Sequence, residues 1–429
     1  MKSFHARGAG RGRDLGIVGM LFGFSMVSYF DRTIMSIAGP SMMHEFGLSA
    51  TQMGAVYSAF IFGSALFMIP GGHLTDRLGP RRTLVIMGWS SAAFTALTVL
   101  GGTPGIGAYA GIVPALVLIR FALGAVTAPL YPACARMTAN WIPLVYHARV
   151  QGFIIAGSSA GAAIAPIAFT WLMRLFQWRA SFVIAAGVTA VLAAIWHWQA
   201  RDHPNTSVNP VKPTVEVDRP SWLKLFSNRN LMLLTFAYGA LGYFQYIFFY
   251  WMYYYFGDVL HLGAQTSAAY TTVLFLTEGA IMPVGGLVSD RLTLRYGAQF
   301  GRRMVPIAGL TLGAILIYSG TVTSGFLAVV CLSLAFGFAA CCEGPFWATV
   351  TEMAGERVGG ASSILNAGAQ VGGFFAPILT PWIASRAGWA AGLYAGGLAA
   401  LSAAVAIYFI QLRPARTTTG LVAESVLPA

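Results

Sequence analysis

Charged side chains are scarce in this sequence. Of its 429 residues only 9% are Asp, Glu, Lys or Arg, whereas 57% are hydrophobic, and the mean hydropathy is +0.67. A soluble domain carries about a quarter charged residues, so this composition excludes an ordinary soluble fold. Apolar segments of roughly 20 residues, long enough to cross a bilayer as helices, recur along the chain. They lie near residues 14–40, 50–74, 82–101, 108–135, 149–173, 180–199, 231–256, 266–289, 304–320, 323–350, 359–384 and 389–411.

Acidic residues are fewer than basic ones, 14 against 26, and the net charge is +12. With a cytoplasmic N-terminus, most Lys and Arg fall in cytoplasmic segments, and only Arg174, Arg179 and Arg386 lie outside. This is the positive-inside pattern, so the charge requires no nucleic-acid partner. No small-residue cleavage site follows the basic N-terminal stretch, which we interpret as a cytoplasmic tail. We predict a multi-pass protein of the bacterial inner membrane, embedded in the lipid bilayer, with both termini cytoplasmic.

Cysteine is rare too, and its four copies all fall in apolar segments. Adjacent Cys341 and Cys342 could form a redox or metal site, but no His or Cys spacing supports one. Small apolar packing residues are the simpler interpretation. A membrane enzyme acting on a lipid or quinone would need a metal cluster, a nucleophile with its base, or a cofactor motif, and the sequence contains none. We therefore predict no enzyme activity, no cofactor and no metal. A ligand sensor is disfavoured because the linker and the C-terminal tail are too short for an output domain.

The chain divides into two similar halves. GGHLTDRLGPRR at 71–82 matches GGLVSDR at 285–291, which is followed by GRR at 301–303, and GAAIAP at 161–166 matches GGFFAP at 372–377. Pro, Asn and charged residues separate the halves. A parallel duplication places a binding site between the halves, near the membrane midplane. The predicted segments are a cytoplasmic tail (1–13), an N-terminal six-helix bundle (14–200), a cytoplasmic linker (201–225), a C-terminal six-helix bundle (226–412) and a cytoplasmic tail (413–429).

The repeated loop, with the pattern GxxxDRxGxRR at 72–82, resembles the signature loop of the major facilitator superfamily. Glycines let helix ends approach closely. An interfacial Asp with nearby arginines can hold helix ends together in one conformation and release them in another. Topology-setting charge would explain the arginines, but it would not explain an Asp that recurs in the second half. We predict that a gating role belongs to Gly72, Asp76, Arg77, Arg81, Asp290 and Arg291.

Five ionisable residues lie inside predicted spans: Asp31, Arg32, Arg120, Glu278 and Glu343. A charge at the bilayer centre costs about 2.5–3.5 kcal/mol on insertion scales, so such residues usually face the bundle interior and serve function. Structural ion pairing is an alternative, but three acids and two bases cannot all pair, and an unpaired buried carboxyl tends to take up a proton. For Arg120 we expect a substrate anion as counter-ion, with Asp31 or Glu343 as its resting partner.

Longer motifs resemble the anion:cation symporter family of major facilitators. The likeness covers residues 14 to 412 and is carried by YFDRTIMSIAGP, RFALGAVTAPLYPACARMTANWIP, and GPFWATV followed by SSILNAGAQVGGFFAP. That family includes proton-coupled sugar-acid transporters. The resemblance implies that Asp31 exchanges protons and that Arg32 and Arg120 contact an anionic substrate. It also implies a pocket lined by Tyr29, Trp347 and Asn366.

Other polar and aromatic residues extend the predicted pocket. Gln370 lies one helical turn after Asn366, so both amides can meet substrate hydroxyls. Span 7 contains YFQYIFFYWMYYYF at 243–256, in which tyrosines recur every three or four residues. Part of this stripe could face lipid, and the better pocket candidates, nearer mid-span, are Tyr243, Gln245 and Tyr246.

The sequence departs from the family pattern at two positions. Sugar-acid members usually carry a Glu seven residues after the span-4 Arg, where this chain has Thr127, and a Tyr in span 2 where it has Ser64. In the internal repeat Thr127 corresponds to Glu343, and Ser64 corresponds to Glu278. We predict that Glu343, or else Glu278, replaces the missing acid as a second proton-carrying group beside Asp31.

These observations predict an all-α membrane protein with twelve transmembrane helices in two pseudo-symmetric bundles, the major facilitator fold. Its predicted function is secondary active import of a small organic anion, a sugar acid or related carboxylate, together with protons, by a monomer. The alternative is a proton-coupled efflux antiporter for amphipathic compounds. The aromatic span 7 favours that alternative, whereas two intramembrane arginines disfavour it.

Overall fold

The computed structural model describes residues 2–100, 111–143, 146–202, 225–354 and 358–411. The predicted linker falls outside the described residues except for 201, 202 and 225, and the predicted tail 413–429 lies outside them entirely. The described residues are almost entirely helical. The helices are α1 (Lys2–Phe46), α2 (Ala50–Leu78), α3 (Pro80–Leu97), α4 (Ile112–Thr127), α5 (Leu130–Trp141), α6 (His147–Gln199), α7 (Arg229–Tyr254), α8 (Ala264–Tyr296), α9 (Ala298–Val322), α10 (Gly325–Ala340), α11 (Glu343–Ala354) and α12 (Val358–Tyr408).

Helix ends and breaks follow local sequence. The helix pair α4–α5 is interrupted beside Pro129, and α10–α11 is interrupted just before Pro345, because proline cannot continue the backbone ladder of a helix. Within α6 the chain turns at Gln177 (φ 60°, ψ 168°), and within α12 it turns at Gly388 (φ 85°, ψ 162°). Each turn directly precedes a tryptophan, Trp178 or Trp389, that follows the proline of GAAIAP or GGFFAP by twelve residues. The repeat therefore extends to the backbone conformation.

The helices supply twelve membrane crossings among the described residues. Eight helical stretches are long and apolar enough to span a bilayer, with α4–α5 and α10–α11 each forming one of them. The stretches Arg149–Gln199 and Gly360–Tyr408, of 51 and 49 residues, far exceed the roughly 20 residues of one crossing, and each turns back at its break. The remaining crossings are α1 and α3, in which charged residues lower the hydropathy. These crossings agree with the predicted twelve-span, all-α fold.

Contacts within each half are extensive, and three helix pairs join the halves. In the first half α1 and α3 pack on α6, and α2 packs on α4; in the second half α7 packs on α12, and α8 and α9 pack on α10. Between the halves, α1 contacts α7, α2 contacts α12, and α6 contacts α8. The halves therefore meet mainly along these six helices.

The halves are packed together at one end, which we call the closed end. It is formed by the C-terminal part of α1, the first turns of α2, the part of α6 on either side of its turn at Gln177, and the last turns of α7. Tyr57 stacks on Tyr250, with 5.0 Å between ring centroids. Tyr57 also contacts the Trp251 ring, with 5.4 Å between ring centroids, and the Ser58 hydroxyl donates to the Phe374 carbonyl at 2.7 Å. Aromatic packing and a direct hydrogen bond thus leave the two halves in contact here.

Backbone contact at the closed end depends on Gly54. A Cβ at this position would overlap the Pro377 carbonyl oxygen of α12. Small residues allow helices to approach in this way. Only glycine therefore permits the observed approach of α2 to α12.

A second set of contacts fixes the end of α1. Glu45 accepts hydrogen bonds from the Arg179 guanidinium at 3.0 and 2.6 Å and from the Trp178 indole at 2.7 Å. The hydrogen bond from Arg179 lowers the pKa of Glu45 below its ordinary value. This clasp joins α1 to the turn at Gln177 and lies beyond the apolar part of both spans.

Gly54→Val is expected to prevent formation of the closed end, because its side chain would overlap the α12 backbone. In a chain whose four cysteines are replaced by alanine, Ser58→Cys should react with a membrane-impermeant maleimide only when Gly54→Val is also present. Gly187→Val is the matched control, since a Cβ there meets no atom within 4 Å. Equal labelling of Ser58→Cys with and without Gly54→Val would contradict the assignment.

Glu45→Gln is expected to lower stability in a pH-dependent way. Because the pKa of Glu45 is lower in the folded protein than in the unfolded chain, the clasp stabilises the fold above the unfolded pKa and loses this effect as the pH falls through the folded pKa. The pair is more than a third exposed on its Glu45 side, 39%, so the loss at neutral pH should be about 1 kcal/mol or less. Thermal midpoints in detergent should differ from those of the unmodified protein at neutral pH and converge in acid. A difference that persists unchanged in acid would rule out the carboxylate as its source.

Candidate functional site

The Asp31 carboxyl lies inside the N-terminal half and forms no salt bridge with the described residues. It is 2% exposed, and its Oδ2 accepts hydrogen bonds from Thr189 of α6 at 2.8 Å and from Thr95 of α3 at 3.4 Å. Its Oδ1 is buried without a hydrogen-bond partner among the described residues. Two neutral donors and one unpartnered oxygen leave the carboxyl able to hold or release a proton.

Arg120 reaches α1 through the backbone. Its side chain is fully buried, and its guanidinium donates to the carbonyl oxygens of Asp31 at 3.5 Å and Arg32 at 3.4 Å. Both hydrogen bonds are long, and Nε is buried without a partner among the described residues. In this conformation Arg120 donates its hydrogen bonds to backbone carbonyls and forms no salt bridge with Asp31 or Glu343 among the described residues, although the charges of Arg120 and Asp31 interact; the expectation that Asp31 or Glu343 is its resting partner stays a prediction.

Arg32 lies where the halves meet. Its guanidinium is 4.8–5.5 Å from the centroids of four rings, which we call the aromatic cage: Tyr29 and Phe60 from the first half, and Tyr246 and Phe249 from the second. Its Nε donates to the Tyr250 hydroxyl at 3.3 Å. Aromatic faces attract a cation, so the cage holds the guanidinium at the interface while part of it stays exposed.

Neither arginine is neutralised by an acid. The salt bridges within the described part of the chain join Arg136 to Asp76, Arg179 to Glu45, and Arg302 to both Asp290 and Glu352. Arg32 and Arg120 therefore form no salt bridge among these residues and donate hydrogen bonds only to neutral groups, although Asp31 is near enough to Arg120 for their charges to interact. The potential at this point between the halves favours an anion.

A second cluster surrounds Glu343 in the C-terminal half. The carboxyl accepts hydrogen bonds from the Tyr238 hydroxyl at 2.7 Å and from the Gln245 amide at 3.1 Å. The Trp347 indole donates to Tyr238 at 3.0 Å. Glu278 of α8 interacts electrostatically with Glu343. This cluster brings together four predicted site residues and adds Tyr238.

The other predicted pocket residues are divided. Asn366 lies at the α2–α12 contact, where its amide nitrogen is 3.2 Å from the Met68 sulfur. Gln370, one turn further along α12, is partly exposed. Tyr243 turns instead into the C-terminal half, where it is buried and its hydroxyl is 3.2 Å from that of Thr380.

Some residues at the site were missed by sequence reasoning. The tyrosine stripe of span 7 contained a signal for Tyr250, the residue that binds Arg32. The sequence contained no signal for Thr95 or Thr189, because single hydroxyls are common in membrane helices.

The predicted gating residues make contacts within their own halves. Asp76 pairs with Arg136 at 3.3 Å, and Asp290 pairs with Arg302 at 2.6 Å. Arg81 donates to the His197 carbonyl at 2.7 Å. The predicted Gly72, Arg77 and Arg291 lie at the same ends of α2 and α8, with both arginines exposed.

Comparisons with known proteins agree with this architecture. The sequence model of the Major Facilitator Superfamily matches residues 21–359 and 295–427. The hexuronate transporter of Bacillus subtilis is 28% identical over 409 residues, covering 92% of this chain and 94% of that protein. The D-galactonate transporter of Escherichia coli O6:H1 is 26% identical over 413 residues, covering 90% and 92%.

Among solved structures, a bacterial homologue of the human lysosomal transporter Spinster, in an inward-facing and unoccupied conformation, superposes with a TM-score of 0.76. It is 15% identical and covers 93% of this chain and 96% of its own. At this identity the likeness concerns the fold alone. It confirms the fold predicted from the sequence.

Arg120→Met is expected to leave stability unchanged or to raise it, although the side chain is fully buried. Its hydrogen bonds are long and one donor is unpaired, so a methionine of similar length avoids the desolvation cost of a poorly compensated buried charge. Thermal midpoints in detergent test this. Arg179→Met, which loses the Glu45 clasp, is the control and should be less stable. A large loss of stability in Arg120→Met would instead identify a structural residue.

Proposed function

The chain belongs to the Major Facilitator Superfamily, and on that premise we propose that it imports a small organic anion together with protons by alternating access. Membership makes it a multi-pass membrane transporter and not an enzyme. The single observation that carries the proposal is the pair Arg32 and Arg120, which lie near the meeting of the two halves and whose hydrogen bonds go to neutral groups. In a low-dielectric interior these guanidinium groups lack a counter-ion that a substrate carboxylate can supply.

Arg32 is the proposed first contact of the anion. It is partly exposed, whereas Arg120 is fully buried. A carboxylate that binds Arg32 would replace its weak contact with the Tyr250 hydroxyl by charge-assisted hydrogen bonds. Arg120 then supports the site in two ways: its positive charge adds to the local potential, and its hydrogen bonds hold the α1 backbone at Asp31 and Arg32.

The proposed substrate class is the sugar acids and related carboxylates. Support comes from relatives named as hexuronate and D-galactonate transporters, whose coverage extends over nearly the whole chain. Such ligands carry hydroxyl groups beside the carboxylate. The proposed partners of those hydroxyls are Tyr29, Gln245, Tyr246, Asn366 and Gln370, with the Trp347 ring, 39% exposed, as an apolar surface for the sugar.

Asp31 is the proposed proton carrier. Its carboxyl and the Arg120 guanidinium belong to one local structure, because Arg120 binds the backbone carbonyl of the same residue. A proton on Asp31 removes a negative charge beside the arginines and so favours the anion. Coupling of this kind requires that the anion bind the protonated carrier more tightly than the deprotonated one.

Alternating access is proposed to occur by rocking of the bundles 14–200 and 226–412. With both termini cytoplasmic, the closed end faces outward, and the described conformation is inward-facing. Reopening requires separation of Tyr57 from Tyr250 and of Gly54 from α12. At the opposite end Asp76 pairs with Arg136 and Asp290 pairs with Arg302, each within its own half. These salt bridges therefore do not link the two halves.

Efflux of amphipathic compounds by proton exchange is the competing function. The aromatic cage is of the kind that binds organic cations, but Arg32 already fills it. A second cation would meet two uncompensated guanidinium groups, so the site opposes cationic substrates.

Uptake by reconstituted liposomes tests the proposal, with radiolabelled hexuronates, aldonates, aldarates and dicarboxylates and an inward proton gradient. Arg32→Gln should raise the half-saturating concentration about 10- to 100-fold, because a hydrogen-bonded charged contact is lost. Asp31→Asn should abolish gradient-driven accumulation but retain counterflow exchange. Arg386→Gln, an arginine outside the site, is the matched control and should behave as the unmodified protein. Absence of anion uptake, with proton-driven movement of amphiphiles, would replace import by efflux.

A further inference from the structure

Glu343 is surrounded by donors but has no cation. Its two carboxyl oxygens accept hydrogen bonds from Tyr238 and Gln245, at 2.7 and 3.1 Å, and Trp347 in turn binds Tyr238. None of the salt bridges within the described ranges involves Glu343 or Glu278. A half-buried carboxyl held only by neutral groups is stable in the membrane if it can be neutralised by a proton.

Glu278 lies on a helix, α8, that packs closely against the α10–α11 junction beside Glu343, near enough for the two carboxylate charges to interact. A Cβ at Gly285 would overlap the backbone of Cys341, and one at Gly344 would lie 3.2 Å from the Cα of Gly286. Thus α8 approaches the α10–α11 junction at backbone contact. Two carboxyls held together in a low dielectric disfavour joint ionisation, so they titrate as a pair that retains a proton.

The titratable groups that face this pair come from each adjoining helix. Tyr238 projects from α7 and Cys342 from the α10–α11 junction, and both interact electrostatically with Glu343. Both are neutral acids near pH 7. No basic group therefore compensates the two carboxyls within the described part of the chain.

The geometry suits a proton better than a metal cation. Sodium-like cations need several oxygen ligands, whereas both Glu343 oxygens already accept hydrogen bonds from the protein. Within the described residues no three His, Cys, Asp or Glu side chains come together as ligands for a metal ion. A proton needs only one carboxyl oxygen. The neighbouring Tyr238 hydroxyl can rotate to accept a hydrogen bond from the protonated carboxyl.

We propose that Glu278 and Glu343 form a second proton-binding site, in the C-terminal half, which takes up one proton in each transport cycle in addition to that of Asp31. The proposal rests on the proposed function as proton-coupled anion import. In each step a carboxylate takes a proton from one aqueous phase to become a carboxylic acid, and it releases that proton to the other phase. With a monoanion, two protons per cycle carry one net positive charge.

The new site is connected to the anion site through α7. Gln245, which binds Glu343, is followed by Tyr246, whose ring lies 4.8 Å from the Arg32 guanidinium. Protonation that releases Gln245 can therefore alter the packing of the adjacent Tyr246 against Arg32. The two halves would each contribute one proton site and meet at one anion.

Infrared difference spectroscopy of the purified protein tests the site without any substrate. Protonated carboxyl groups give a carbonyl band in the infrared spectrum. Raising the pH should remove this band in two separate transitions, one for each proton site. Asp31→Asn should eliminate one transition and Glu343→Gln the other, while Glu278→Gln should shift the pH of the Glu343 transition. Glu45→Gln, which changes a carboxyl paired with Arg179, is the control and should leave both transitions. An unchanged spectrum in Glu343→Gln would overturn the proposal even if anion transport is confirmed.

The charge carried per anion gives a second, independent result. With D-glucuronate as the probe, a two-proton cycle should raise steady-state accumulation about 50-fold per 100 mV of inside-negative potential. Glu343→Gln should lose this dependence but keep counterflow. The proposal of a second proton would be overturned if accumulation by the unmodified protein did not depend on the membrane potential, or if it required sodium. Absence of counterflow in the unmodified protein would count against this substrate class, while the infrared result would still decide the site.

Discussion

The cost of an ionised group inside a bilayer is the constraint on which the rest of this structure depends. Arg32 and Arg120 cannot lose their charge, so the protein stabilises them with ring faces, a hydroxyl and backbone carbonyls. None of these partners is an anion. The acids can take up protons, and they accept their hydrogen bonds from hydroxyl and amide groups and not from the arginines. The molecule therefore separates groups with a fixed charge from groups with a variable one.

The internal repeat shows how two copies of one bundle have acquired different chemistry. Arg136 in the first half and Glu352 in the second are separated by 216 residues (352 minus 136), the offset that also relates Thr127 to Glu343. In the first half Asp76 of the signature loop pairs directly with Arg136. In the second half Arg302 pairs with both Asp290 and Glu352. Equivalent backbone positions thus carry opposite charges, while the helices retain a common arrangement.

The fold was predictable because hydropathy, charge placement and the repeat all depend on local composition. Span 1 could be recognised although it contains Asp31 and Arg32, and the importance of those residues followed from their cost in the membrane. Their partners could not be derived. A sequence does not reveal that Arg120 would bind two carbonyls, because every residue has one, nor that Tyr243 would face Thr380 while Tyr246 faced Arg32. The two tyrosines are less than one helical turn apart on the same stripe of α7, and only packing against neighbouring helices decides between these outcomes.

The two hairpin turns at Gln177 and Gly388 differ in mechanical compliance. The backbone at Gln177 occupies a region that is essentially restricted to glycine and that costs about 1–3 kcal/mol for other residues. It persists beside Trp178 and Arg179, both of which are bound by Glu45 at the end of α1. Gly388 adopts a similar conformation without that cost. On the N-terminal side of the closed end, turn and helix are therefore coupled by an ion pair and hydrogen bonds, whereas the residue after the C-terminal turn, Trp389, packs its ring on Trp251 and Tyr254 of α7. Packed rings can slide past one another, but an ion pair has to break, so opening is expected to start from the C-terminal hairpin.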